Sequence, residues 1–133
     1  MATIKAFSDL EQSKKLAEIL PLESADMYYN FDVDFTTGEF YFPADGSSIM
    51  VRRNNKPLNL DLVIPCWSLA SLLDVLPDNY VDVNDTIYHP NLMKTKDGRY
   101  MVIYNVSQYT SLYNDPIDAC VAMIERLHKL NLL

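Results

Sequence analysis

Two strongly apolar segments bounded by proline constrain this chain more than any other feature. They are Pro65-Cys66-Trp67-Ser68-Leu69-Ala70-Ser71-Leu72-Leu73-Asp74-Val75-Leu76-Pro77 and Asp115-Pro116-Ile117-Asp118-Ala119-Cys120-Val121-Ala122-Met123-Ile124-Glu125. In the first, Ser68 is the expected N-cap of a short helix, and Trp67 and Leu72 stand where a hydrophobic staple would place them. So apolar a helix has to lie centrally. In the second, Asp115 caps, Pro116 takes the first helical position and Asp118 lies at the positive end of the dipole. Ile117, Cys120, Val121, Ile124 and Leu127 then form one stripe at i, i+3, i+4 and i+7 spacing. Both segments describe packing and carry no chemistry of their own.

A third helix is expected near the N-terminus. Ser8 followed by Glu11 has the form of a capping box, and the helix should run to Leu20 and stop at Pro21. Leu10, Leu16, Ala17 and Leu20 give it one apolar face, and Glu11–Lys15 and Lys14–Glu18 have the spacing of ion pairs. From Tyr28 to Phe35 the period changes to two. Tyr29, Phe31, Val33 and Phe35 share one face of a strand, and Thr36-Thr37-Gly38 turns it into a partner at Glu39–Phe42. Ile49–Arg52 reads as a further short strand, Arg53–Pro57 as a turn, and Leu60, Leu62 and Ile64 as another alternation. A strand is expected around Thr86–Met93, then a hairpin turn at Lys96-Asp97-Gly98. Arg99–Val106 is apolar on both faces, as suits the middle of a sheet.

These elements predict an α+β fold, an antiparallel sheet packed against about three helices in a two-layer arrangement. The chain has 133 residues, 49% of them hydrophobic and 22% charged, with three glycines and no low-complexity run. That composition belongs to a globular chain, and the length suits one domain over residues 1–133. No linker or internal repeat divides it.

The net charge of −7, with cations scattered apart from Lys14-Lys15 and Arg52-Arg53, argues against non-specific nucleic-acid binding, which depends on clustered cations. No apolar run approaches the ~20 residues a bilayer requires, and the N-terminal residues lack a signal-peptide core. A cytoplasmic protein without a membrane partner is expected. Cys66 and Cys120 sit on apolar patterns far apart, which reads as two buried reduced thiols. A monomer or a homodimer fits the residues equally.

Tests for chemistry fail on spacing. Asp32 and Asp34 invite a calcium-loop reading, but such a loop needs glycine where Thr37 stands and glutamate where Pro43 stands. No Cys-x-x-Cys or His-x-x-x-His pair offers a metal site, and there is no Gly-rich phosphate loop. Nucleophilic catalysis would have to use Cys66 or Ser68 with His89 or His128, whose positions suit packing, capping and a helix end better. Tyr88-His89-Pro90-Asn91-Leu92 resembles the Tyr-His-Pro-Asn-Ile stretch of ubiquitin-conjugating enzymes. The cysteine that stretch requires would fall near Met101, so no thioester can form and the transfer activity is not implied. No catalytic residue, cofactor site or metal site is assigned. The nine tyrosines suggest a recognition surface, and the candidate interaction patch is Trp67, Tyr104, Tyr109 and Tyr113.

Leu16-Ala17-Glu18-Ile19-Leu20 with Glu23-Ser24-Ala25-Asp26-Met27, then Pro65 to Leu73, then Asp115 to Cys120, together resemble small uncharacterised proteins carried by phages and mobile elements of gut Bacteroidales. The resemblance implies a bacterial cytoplasm, an accessory gene and no dedicated cofactor. The leading expectation is a non-enzymatic accessory protein that contacts another protein. The alternative is a small-molecule or nucleotide-binding protein that sequesters its ligand, and the third is an enzyme built around His89, Asn91 or Cys66.

Overall fold

A computed structural model describes residues 5–52, 59–60 and 62–133. The fold is α+β: the described residues form three α-helices, one 3-10 turn at Leu22–Ser24 and ten short strands, every strand pairing antiparallel. The strands form four small sheets, and the chain clusters into two compact units, Phe7–Ser71 and Leu72–Leu133 with the N-terminal residues through Ala6.

The first unit opens with α1 (Leu10–Ile19). Its cap is Asp9, not the expected Ser8. Asp9 Oδ1 accepts the Gln12 amide at 2.8 Å and Gln12 Oε1 accepts the Asp9 amide at 3.0 Å, a complete capping box one residue later than the sequence pattern suggests. Ser8 is free of that duty because its hydroxyl turns inward, 2.7 Å from Ser13 Oγ. The ion pair that forms on the helix is Lys14–Glu11 at 3.6 Å, an i,i+3 contact in place of the two expected i,i+4 pairs. As expected, the helix ends at Leu20, ahead of Pro21.

A central strand, β1 (Met27–Asn30), pairs on one side with β4 (Ile49–Val51) and on the other with β5 (Val63–Cys66), against which α1 packs. The long strand expected over Tyr28–Phe35 is broken at Phe31, whose amide is taken by the Asn30 side chain at 3.1 Å. The chain resumes as β2 (Asp32–Val33) and returns as β3 (Phe40–Tyr41). Asp34 pairs with Glu39 across the four-residue turn Phe35 to Gly38, and Gly38 adopts the positive φ that closes it. Phe35 is therefore a turn residue, 95% exposed, not a member of the Tyr29 face. Gly46 allows a close approach: a Cβ there would meet the Phe7 ring at 2.8 Å, and Phe7 in turn packs edge-on to Tyr29.

Leu60 and Leu62 are half-exposed, so the expected alternation reaches the sheet only from Val63. The expected turn at Arg53–Pro57 lies outside the described residues. Pro65 and Cys66 belong to β5 and not to a helix; β5 is an edge strand, where proline is tolerated. Ser68 then caps α2 (Leu69–Val75) as expected, its Oγ accepting the Ser71 amide at 3.3 Å.

In the second unit, β6 (Tyr80–Val81) pairs with β7 (Ile87–Tyr88). His89-Pro90 separates β7 from β8 (Asn91–Lys94), so the strand expected over Thr86–Met93 is two strands. The β8–β9 turn is a type I turn followed by Gly98 at positive φ: Gly98 donates to Thr95 at 3.0 Å and Thr95 to Arg99 at 2.8 Å. β9 (Tyr100–Asn105) is the middle strand between β8 and β10 (Gln108–Tyr109). Asn105 accepts the amides of Ser107 and Gln108 and ends β9, which leaves Val106 in the turn and 90% exposed.

α3 (Pro116–Lys129) packs on β9 and β8 and has the expected form. Asp115 Oδ1 accepts the Ile117 amide at 2.8 Å, Pro116 is at the start, and Ile117, Cys120, Val121, Ile124 and Leu127 are all buried. Asp115 is itself 5% exposed, and its second oxygen accepts the Lys5 amide. Replacing it removes the acceptor of the buried Ile117 amide and of the part-buried Lys5 amide. Asp115→Ala is expected to lower the stability to urea unfolding by about 1–2 kcal/mol; a change below about 0.3 kcal/mol would contradict the capping role.

Candidate functional site

The four aromatic residues expected to form an interaction patch have different fates. Trp67 has no exposed surface, and its indole N–H donates to Ser24 Oγ at 2.9 Å. Tyr104 is 5% exposed, packs against Tyr80 at 5.9 Å and donates its hydroxyl to the Pro77 carbonyl at 2.6 Å. Burial, with Asp78 adding to it, pushes the Tyr104 phenol up to about 12. Both are core residues, because a large aromatic with one satisfied polar tip gains more from burial than from exposure.

Tyr109 and Tyr113 do reach the surface of the second unit. Tyr113 is held by a two-way backbone bridge to Tyr100, at 2.7 and 2.8 Å. With Arg126 they line an open cleft of about 410 Å³ between the chain after β9 and the outer side of α3. A neighbouring hollow shares Tyr113 and Arg126 and follows α3 to Glu125 and Lys129. The guanidinium of Arg126 already donates to Gln108 Oε1 and to the Ser107 carbonyl, so the cation in this cleft is partly spent on holding β10 to the helix.

The first unit holds a surface that the tyrosine count did not indicate. Because Val33 pairs with Phe40 and Asp32 with Tyr41, strand alternation sorts the β2–β3 hairpin into two unlike faces. Phe31, Val33, Phe40 and Phe42 fall on one face; Asp32, Asp34, Glu39 and Tyr41 fall on the other. On the apolar face Phe31 and Phe40 meet edge to face at 5.0 Å and, with Phe42 and Leu62, surround a hollow of about 200 Å³. Phe40 is nevertheless 70% exposed. On the acidic face, the Asp32 carboxylate foremost, with Asp34 and Asp45 beside it, holds the Tyr41 phenol above its ordinary value. The sequence signal for this surface was the pair of alternations on either side of Gly38.

The groups considered for chemistry sit in structural roles. Cys66 is fully buried, donates to the Ser8 carbonyl at 3.4 Å, and burial pushes its thiol up, away from the reactive thiolate. Burial, with Asp115 adding to it, pushes Cys120 up to about 12. His89 donates from Nδ1 to the Asp78 carbonyl at 2.8 Å, and Asn91 donates to the His89 carbonyl at 3.2 Å, so the Tyr-His-Pro-Asn stretch closes a local turn. Ser68 donates its amide and hydroxyl to the Asp26 carboxylate, a partner of the cap that lies 42 residues away and that sequence spacing could not reveal. Among the described residues, no three His, Cys, Asp or Glu side chains gather as metal ligands, and no helix is long and apolar enough to cross a membrane.

The two kinds of aromatic position separate in a denaturation experiment. Trp67→Ala is expected to cost about 3–5 kcal/mol, as large-to-small changes in a packed core do, whereas Tyr109→Ala should stay within about 1 kcal/mol. Equal losses at both positions would contradict the assignment of Trp67 to the core. Comparison of the chain with protein-family models, with curated proteins and with solved structures returned no match.

Proposed function

We propose that the chain is a non-enzymatic binding protein that contacts another protein through the apolar face of the β2–β3 hairpin. The accessory role in a phage or mobile element of gut Bacteroidales, and the bacterial cytoplasm as its setting, belong to the same proposal and rest on the sequence resemblance. The observation that supports the contact is Phe40, 70% exposed on a face it shares with Phe31, Val33 and Phe42. Phe35, 95% exposed, stands at the tip of the same hairpin. At the ~200 Å² typical of an aromatic side chain, these two residues alone leave on the order of 300 Å² in water. Apolar surface on that scale, where it is contiguous, marks contact sites, because burying it is worth roughly 25 cal/mol per Å².

A second reading, a small-molecule or nucleotide-binding protein, draws on the cleft beside Tyr109, Tyr113 and Arg126. Its volume of about 410 Å³ falls within the ~300–1,000 Å³ usual for ligands. Its openness and the internal use of Arg126 favour the hairpin as the principal surface.

A photo-cross-linking phenylalanine analogue placed at Phe40 and, as a control for mere exposure, at Val83, which is 98% exposed, tests the proposal in bacterial cells. Discrete protein adducts from position 40 and not from position 83 are expected. Adducts no stronger from position 40 than from position 83 would refute it.

A further inference from the structure

Resting on the reading of the hairpin as a contact surface, we infer that its occupant is a different protein whose apolar contact area is rimmed by lysine and arginine, and not a second copy of this chain. Charge complementarity selects that occupant. From Met27 to Val51 the sequence holds Asp32, Asp34, Glu39 and Asp45 and no lysine or arginine. A two-stranded ribbon is one strand pair wide, so a partner seated on Phe31, Phe40 and Phe42 brings its rim beside the carboxylates of the opposite face.

Among the described residues, no lysine or arginine forms an ion pair with those carboxylates: the ion pairs are Lys5–Asp118, Lys14–Glu11 and Arg99–Asp97. The cation next along the chain, Arg52, donates from its guanidinium to the carbonyls of Leu22 and Ala25. Tyr41, across from Asp32, lies close enough to three of the acids for its phenol to register their field.

A second copy would meet this surface with the same four carboxylates and a net charge of −7. Like charges facing one another across an interface weaken association and slow encounter. The same field repels the phosphates of nucleic acid and of anionic membranes. A cationic rim is attracted by it, and the apolar centre supplies the burial that fixes the contact.

The test uses the full chain and two amphipathic helical peptides of equal length, one built from leucine and lysine and the other from leucine and glutamate. Binding is followed by amide shifts of the hairpin residues, and self-association by sedimentation. The expected result is that the Leu/Lys peptide shifts Val33, Phe40 and Phe42 and binds at least about tenfold more tightly than the Leu/Glu peptide. Its affinity should fall several-fold for Asp32→Asn with Asp34→Asn, and when salt rises from about 0.05 M to about 0.5 M. It should fall about tenfold for Phe40→Ser.

Equal binding of both peptides at the hairpin would overturn the inference about the partner's charge and leave the contact surface standing. Self-association abolished by Phe40→Ser would overturn it in favour of a second copy. Leu/Lys binding indifferent to Phe40→Ser would overturn the contact surface itself, since the peptide would then be following only the net charge.

Discussion

The first unit depends on the buried environment of Ser8. The Ser8 amide donates to the Trp67 carbonyl at 2.8 Å, the Trp67 amide donates to Ser8 Oγ at 3.1 Å, and that hydroxyl lies 2.7 Å from Ser13 Oγ. The Ser8 carbonyl accepts the Tyr29 hydroxyl at 2.9 Å and the Cys66 thiol at 3.4 Å. One residue with no exposed surface thus joins α1, β1 and the end of β5. Such a network strengthens in a low-dielectric interior, and it specifies one arrangement because any displacement strands several buried groups at about 1–3 kcal/mol each. Tyr29 and Cys66 carry raised pKa values for the same reason: burial favours their neutral, hydrogen-bonded forms.

From this anchored sheet the chain passes directly into the hairpin. β1 is fixed on both edges, by β4 and β5, and only Phe31 separates it from β2. The hairpin has just two residues in each strand and its own single pairing, so little of its stability is intrinsic. Its unlike faces follow from the register: with Val33 opposite Phe40, Phe40 shares one side with the flanking Phe31 and Phe42, and Asp32 falls on the other with Tyr41. In the second unit the aromatics are used differently. Tyr104 and Val102 are buried on β9, against which α3 packs, and the surface cleft beside α3 keeps Tyr109, Tyr113 and Arg126.

What the sequence made legible was local. The cap, first-position proline and apolar stripe of α3 could be read because each lies within a few residues of the group it serves, and the same holds for Ser68 and for the glycine turns at Gly38 and Gly98. Ser8 was misread because its Ser-x-x-Glu spacing imitates a cap, while its actual partners, Trp67 and Tyr29, are distant in sequence. Strand extents were overestimated wherever a side chain competes for a backbone amide, as Asn30 and Asn105 do. The candidate site was the least legible element. Alternation showed that Phe31 and Val33 share a face, but whether that face is covered depends on long-range packing, and the tyrosine count pointed instead to Trp67 and Tyr104, which the core consumes.

A rigid, hydrogen-bonded anchor at Ser8 carries a hairpin whose apolar face is on display rather than part of the core. Residue-resolved amide hydrogen exchange tests it most directly. The amides of Ser8 and Trp67 should exchange only with global unfolding, among the slowest in the first unit, and the turn amides of Asp34 and Gly38 should exchange orders of magnitude faster through local opening. Exchange at Ser8 and Trp67 as fast as at Asp34 and Gly38 would contradict it.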